Sequence, residues 1–123
     1  MSRMSSFRTL VAAALLAAAP LVAHAQRMAD GNDWGRSSDA ERRAYLVGVG
    51  NMLAAGYGYD TKRLPGQDNT FSRTAMRGAA GTTIPQAMER IDAWYRANPD
   101  KLGRPVLAVL WAEVVKPGLA RKN

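Results

Sequence analysis

Residues 31–58, GNDWGRSSDAERRAYLVGVGNMLAAGYG, decide the fold. Ser38 followed three residues later by Glu41 has the form of a capping box: the hydroxyl accepts from an orphan backbone N–H, and the Glu carboxylate accepts from the cap's own N–H. Behind it, Tyr45, Leu46, Val49, Met52, Leu53 and Gly56 recur at spacings of 1, 3, 3, 1 and 3. That places them on one stripe of a 3.6-residue helix and leaves Arg42, Arg43 and Asn51 outside it. The pattern predicts a helix starting at Asp39 and ending at Gly56 or Tyr59, with Gly56 or Gly58 as a left-handed cap. Gly48, Gly50, Gly56 and Gly58 each cost a helix interior about 1 kcal/mol against alanine, so close packing or a helix end is expected to compensate.

Just upstream, Asp30-Gly31-Asn32-Asp33 reads as turn chemistry, because these residues tolerate tight or left-handed backbone. Trp34 is expected to fold back over the first helical turns as core. The alternative is an exposed aromatic anchor at an interface.

The chain opens on MSRMSSFR, basic and without an acid, followed by an apolar run over residues 10–22 and then Ala23-His24-Ala25. A positive start, an apolar middle and an Ala-x-Ala end describe a secretory signal peptide over 1–25, cut before Gln26. An uncleaved anchor is the alternative, but the run is shorter than the ~20 residues a span needs and contains Pro20. Export leaves a single helical domain, 26–123, of 98 residues, with no stable membrane span. A domain of that size buries roughly 60–65% of its unfolded surface. It carries 15 basic against 10 acidic residues, a net +5 spread along the chain. That balance suits acidic proteins or anionic envelope polymers. Export to the periplasm argues against nucleic acid as a partner.

His24, the sole histidine, leaves with the signal peptide, and the chain has no cysteine. The mature protein therefore lacks the commonest metal ligands and any thiol nucleophile. Disulfides and Ser-His-Asp or Cys-His sites are excluded. No glycine-rich phosphate loop follows a strand, so no cofactor or metal is expected. Glu89 and Asp92 share a helix face, but with Arg90 and Arg96 nearby they read as solvated surface rather than paired catalytic acids. The expectation is a binding protein, not an enzyme.

Residues 60–80, DTKRLPGQDNTFSRTAMRGAA, are the least regular part. Pro65-Gly66 marks a turn, and Thr70 or Ser72 is a candidate start for a short helix carrying Phe71, Ala75 and Met76. Lys62, Arg63, Arg73 and Arg77 against Asp60 and Asp68 make the segment basic. Basic loop residues on a helical scaffold are where binding often sits, although a solvated connector has the same composition. Tyr57 and Tyr59 at its edge fit either recognition or closure of the core's end.

A second helix is expected after Thr83, which with Gln86 repeats the capping box and tolerates Pro85 in the first turn. Ile84, Ala87, Met88, Ile91, Trp94 and Tyr95 form its apolar stripe, and Asn98-Pro99 stops it. Pro105 opens a third helix, PVLAVLWAEVVK, apolar over most of its surface and expected to be the central core helix, ending at Pro117. A buried strand is the alternative for its β-branched residues, but the length fits a helix. Its lack of a polar face discards a DNA-reading helix-turn-helix. The tail, 118–123, is basic and expected to fray. The fold class is all-α, a small bundle of three to four helices.

Two blocks carry a resemblance. GNDWGRSSDAERRAYLVGVGNML combines a Gly-Asn-x-Trp turn with the Ser-capped helix holding Tyr45 and Gly48. GTTIPQAMERIDAWYRANPDKLGRPVLAVLWAEVVKP carries Thr83, Gln86, Tyr95, Asn98, Pro99 and Pro105. The chain resembles the Tai-type immunity proteins, small exported helical proteins that neutralise the peptidoglycan amidase effectors of type VI secretion. It differs from many of them in having no cysteine. The resemblance implies a periplasmic protein, often a homodimer, that inserts part of itself into an amidase active-site groove. It also implies that Gly48 and Gly50 let a neighbouring helix or second subunit approach closely. Loop placement, rather than the family, puts the contact surface on Tyr57, Tyr59, Lys62, Arg63, Phe71, Arg73 and Arg77. A periplasmic stress chaperone like the small acid-stress proteins, or an envelope-polymer binder, are the competing readings.

Overall fold

The computed structural model describes residues 27–121. The expected signal peptide, 1–25, and the last two residues of the basic tail lie outside them. Among the described residues the protein is all-α, without a strand.

The elements are α1 (Gly31–Arg36), α2 (Asp39–Arg63), α3 (Phe71–Ala79), α4 (Ile84–Ala97), a 3-10 turn (Pro99–Lys101), α5 (Val106–Leu110), a π-helical turn (Trp111–Val115) and α6 (Lys116–Ala120). Both expected capping boxes form, Ser38 with Glu41 and Thr83 with Gln86. Thr70 caps α3 by accepting from the Arg73 N–H at 3.3 Å.

The sequence reading of 30–33 as a turn is corrected. Asp30 and Asp33 form a third capping box, and the chain turns into α1. Asx side chains that make turns also cap helices, since both tasks need an oxygen for nearby N–H groups. Arg27 and Arg36 then pair with Asp33 at 2.8 and 2.9 Å, fixing the segment's start.

The expected end of α2 is also corrected. The helix runs to Arg63, beyond Gly56 and Gly58, and the left-handed glycine is Gly66 at φ 79°. Nothing lies within 4 Å of a Cβ built at Gly48, Gly50 or Gly58. Within this chain, close approach occurs elsewhere. A Cβ on Gly56 would collide with the Ser72 hydroxyl, and one on Gly31 would stand 2.5 Å from the Tyr95 ring. Met52, expected on the buried stripe, is 73% exposed. The inward positions of α2 are instead Tyr45, Leu46, Val49, Leu53 and Gly56, with Asp60 a turn further on.

Pro117 does not stop the last helix. Helical dihedrals continue through α5, the π turn and α6. A proline inside a helix lacks its N–H and crowds the carbonyl four residues back, here that of Glu113. The π turn widens the rod at that place, with the Lys116 N–H bonded to the Trp111 carbonyl five residues back. The Glu113 carbonyl faces Arg90 Nη1 at 3.4 Å, a long contact. Gly118 is consequently helical and buried rather than part of a frayed tail.

Trp34, Leu46, Ala87, Ile91, Tyr95, Val106, Val109 and Val114 form the main core, between α1, the first half of α2, α4 and the C-terminal rod. Trp34 belongs to it, as expected, at 5% exposure. Asp92 is not solvated surface: it accepts from Trp34 Nε1 at 2.6 Å and faces Arg42 Nη1 at 3.4 Å. Around the edge, the Ala29 carbonyl accepts from Val106 N–H and the Leu102 carbonyl from Gly31 N–H, both at 2.8 Å. Together they tie the N-terminal segment to the linker before α5.

Candidate functional site at the α2–α3 end

The second half of α2 leaves the main core and packs on α3, while α3 packs in turn on the π turn and α6. The seven residues singled out from sequence all fall at this end, on helices rather than on an irregular loop. Tyr57, Tyr59, Lys62 and Arg63 occupy the last turns of α2, and Phe71, Arg73 and Arg77 lie on α3. The connector proper is only 64–70, closed by the Gln67 N–H to Leu64 carbonyl bond and by Gly66.

Structure brings three of the seven together. Arg73 Nη1 donates to Asp68 Oδ1 at 2.9 Å, Nη2 reaches Thr61 Oγ1 at 3.4 Å, and the guanidinium lies 5.5 Å from the centre of the Tyr57 ring. Thr61 in turn donates to the Tyr57 carbonyl at 2.8 Å. One side chain thus clamps the connector to α2 and to α3. It is only 14% exposed, and its Nε is buried with no hydrogen-bond partner. Arg73 therefore holds the end together rather than protruding from it. Tyr57, Arg73 and Arg77 with Asp68 and Met76 line a shallow open groove of about 420 Å³.

The others stand apart from that groove. Tyr59 is 63% and Phe71 68% exposed, and Lys62 and Arg63 are exposed with them. Phe71 is supported from below: its ring stacks on Trp111 at 5.4 Å between centroids and 9° between planes. Sequence reasoning missed Trp111, Asp68 and Thr61 at this end. Trp111 lies forty residues downstream of Phe71, a contact that no local pattern announces. Asp68 and Thr61 stand 5 and 12 residues from Arg73, outside helical or capping reach, so no local pattern pairs them with it either.

Chemically, the end offers aromatic faces, three exposed cations in Lys62, Arg63 and Arg77, and the Arg73 guanidinium already engaged with a carboxylate. Among the described residues no group of His, Cys, Asp and Glu could hold a metal ion. No helix there is long and apolar enough to cross a membrane. Comparison of the chain with family models, with curated proteins and with solved structures finds no match in any of the three.

Proposed function

We propose that this chain is an exported binding protein that neutralises a peptidoglycan amidase effector in the periplasm by occluding its active-site groove, acting without catalysis of its own. The observation that supports this reading best is the display of Phe71 and Tyr59 beside Lys62 and Arg63, on a helix end braced by the Arg73 clamp. Exposed aromatics on rigid elements suit a blocking surface, because little side-chain or backbone freedom is lost on docking. The cations at the rim favour encounter with an acidic partner surface.

The test is protection. An amidase encoded beside this gene is directed to the periplasm with and without co-expression of the chain, and lysis is followed. Neutralisation and a tight complex are expected, both weakened by Phe71→Ala with Tyr59→Ala. If the chain neither protects nor binds the amidase, the reading fails. Retention on purified peptidoglycan in the absence of any amidase would favour the envelope-binding alternative.

A further inference from the structure

A second groove lies away from the α2–α3 end, between the first turns of α2 and the outward face of α4, with a volume of about 540 Å³. Sites for small molecules commonly span roughly 300–1,000 Å³. Pro85, Glu89, Asp92 and Arg96 recur at spacings of 4, 3 and 4, so α4 supplies one continuous wall. Asp39, Ala40 and Arg43 supply the other, and Met88 with Ala40 and Pro85 makes part of the lining apolar.

The two walls are in register. Arg42 Nη1 faces Asp92 at 3.4 Å. The Tyr95 phenol, raised first by burial and then by Asp30, is raised also by Tyr45, so the next residues along the two helices are neighbours as well. The helices therefore advance in the same direction past the groove. That sets Asp39 beside Glu89 at one end and Arg43 beside Arg96 at the other. Asp92, the carboxylate at the basic end, is already matched by Arg42 and by the Trp34 Nε1–H. The side chains of Arg43, Glu89 and Arg96 have no hydrogen bond or ion pair with any described residue, and Asp39 has only a 3.7 Å contact with Arg42. The caps of both helices are closed by their own side chains, which leaves the carboxylates as the charged groups that the acidic end offers.

We infer that this groove binds a short free peptide of two or three residues, its ammonium at Glu89 and Asp39 and its carboxylate at Arg96 and Arg43. Glu89 and Arg96 stand about 10 Å apart along the axis of α4, and Asp39 and Arg43 about 6 Å apart along that of α2. An extended chain covers about 3.3–3.6 Å per residue, so two or three residues bridge those separations. Either guanidinium can take a carboxylate through two parallel N–H···O bonds. An apolar side chain on the peptide rests against Met88, whose flexible thioether adapts to varied shapes. A simple anion or a simple cation meets only one end of the groove, so the ligand is selected by carrying both charges. None of these residues belongs to the α2–α3 end, and the site stands or falls independently of amidase neutralisation.

Titration of the full chain with the tripeptide alanyl-leucyl-alanine, followed by calorimetry and tryptophan emission, tests this. Saturable binding is expected, with a shift in emission because Asp92 borders the groove and accepts from Trp34. Acetylating the amino end of the peptide, or amidating its carboxyl end, should each weaken binding by about fivefold or more. Glu89→Gln should weaken the free peptide by a similar factor and leave the affinity for the acetylated one unchanged. Arg96→Gln should do the same with respect to the amidated peptide. Both side chains are exposed, so the circular dichroism of the variants should match that of the parent. Absence of binding, or equal binding of the free and the doubly blocked tripeptide, would overturn the proposal. Variants that bind every peptide as the parent does, or that lose affinity equally for free and blocked peptides, would overturn it too.

Discussion

Gly78 of α3 and Gly118 of α6 meet backbone to backbone: a Cβ on Gly118 would overlap the Gly78 carbonyl, and one on Gly78 would stand 2.5 Å from the carbonyl oxygen of Val115. This contact holds the braced end against the C-terminal rod. Neither helix can yield without moving its own backbone. Gly118→Ala is therefore expected to destabilise by about 3 kcal/mol, the upper part of the range for overpacking. Gly50→Ala, in open space on α2, should instead stabilise by about 1 kcal/mol. Denaturant unfolding of the two variants checks the contrast, and equal effects would refute it.

Asp92 joins α4 to α1 and α2 through Trp34 and Arg42. Arg42 also donates from Nε to the Trp34 carbonyl at 2.8 Å and lies 5.3 Å from the centre of its ring. Removing the carboxylate leaves a nearly buried indole N–H without its acceptor. Asp92→Ala should cost about 2–3 kcal/mol. Glu89→Ala, one turn away and exposed, should cost under about 0.5 kcal/mol. A shift in tryptophan fluorescence should accompany only the first.

Acid should leave the N-terminal segment in place well below neutrality. The hydrogen bond from Arg27, then that from the Asp30 backbone N–H, hold the Asp33 carboxyl far below the usual carboxylate range. A folded pKa that is depressed contributes stability above the unfolded value near 3.9, and that contribution is lost only as pH falls through the lower folded value. Binding of an apolar dye should therefore stay flat between pH 7 and pH 4. A rise in that window would instead support the acid-triggered chaperone reading.

Alkali acts through Tyr95. Burial pushes its phenol up to about 12, with Asp30 adding to the shift, and its hydroxyl donates to the Arg104 carbonyl at 2.6 Å. A raised folded pKa gives stability that is complete below the unfolded value near 10 and is lost as pH rises through about 12. Stability should fall between those two values, and Tyr95→Phe should flatten that limb. Absorbance of the phenolate during unfolding at each pH reads the effect.

Phe71 and Arg73 separate display from support. Phe71→Ala should change stability by less than about 1 kcal/mol, since the ring is mostly exposed, while weakening capture of the amidase proposed as partner at least tenfold. Arg73→Ala removes the clamp on Asp68, Thr61 and Tyr57. It should lower both stability and affinity, by about 1–3 kcal/mol for the first. Calorimetry of folding beside binding measurements resolves the two.

Much of the fold was legible because its signals are local. Ser38 with Glu41 and Thr83 with Gln86 sit three residues apart, within the reach of a single helical turn, and both boxes form. The apolar stripe of α4 marked Ala87, Ile91 and Tyr95 as core, and the apolar run after Pro105 marked Val106 and Val109, though it also included Leu107, which is exposed. Three local signals misled. Asp30 and Asp33 cap a helix where a turn was expected, Gly56 and Gly58 fail to end α2, and Pro117 fails to end the rod. In each case the residue's chemistry permits two outcomes, and packing selected one: the Ser72 contact favours a helical Gly56, and the π turn accommodates Pro117. The candidate site was legible as a region, not as an arrangement. The sequence placed seven residues near one another without distinguishing the inward Arg73 from the outward Phe71.

By itself, then, the sequence determined the helical class, two of the three capping boxes and most of the core, because 3.6-residue periodicity and side-chain-to-backbone bonds act over a few residues. Only the tertiary structure decided which glycines matter, which arginine is a brace, and that Phe71 rests on Trp111. Those relationships join residues from separate helices, and their energies depend on close approach in space, which separation along the chain does not encode.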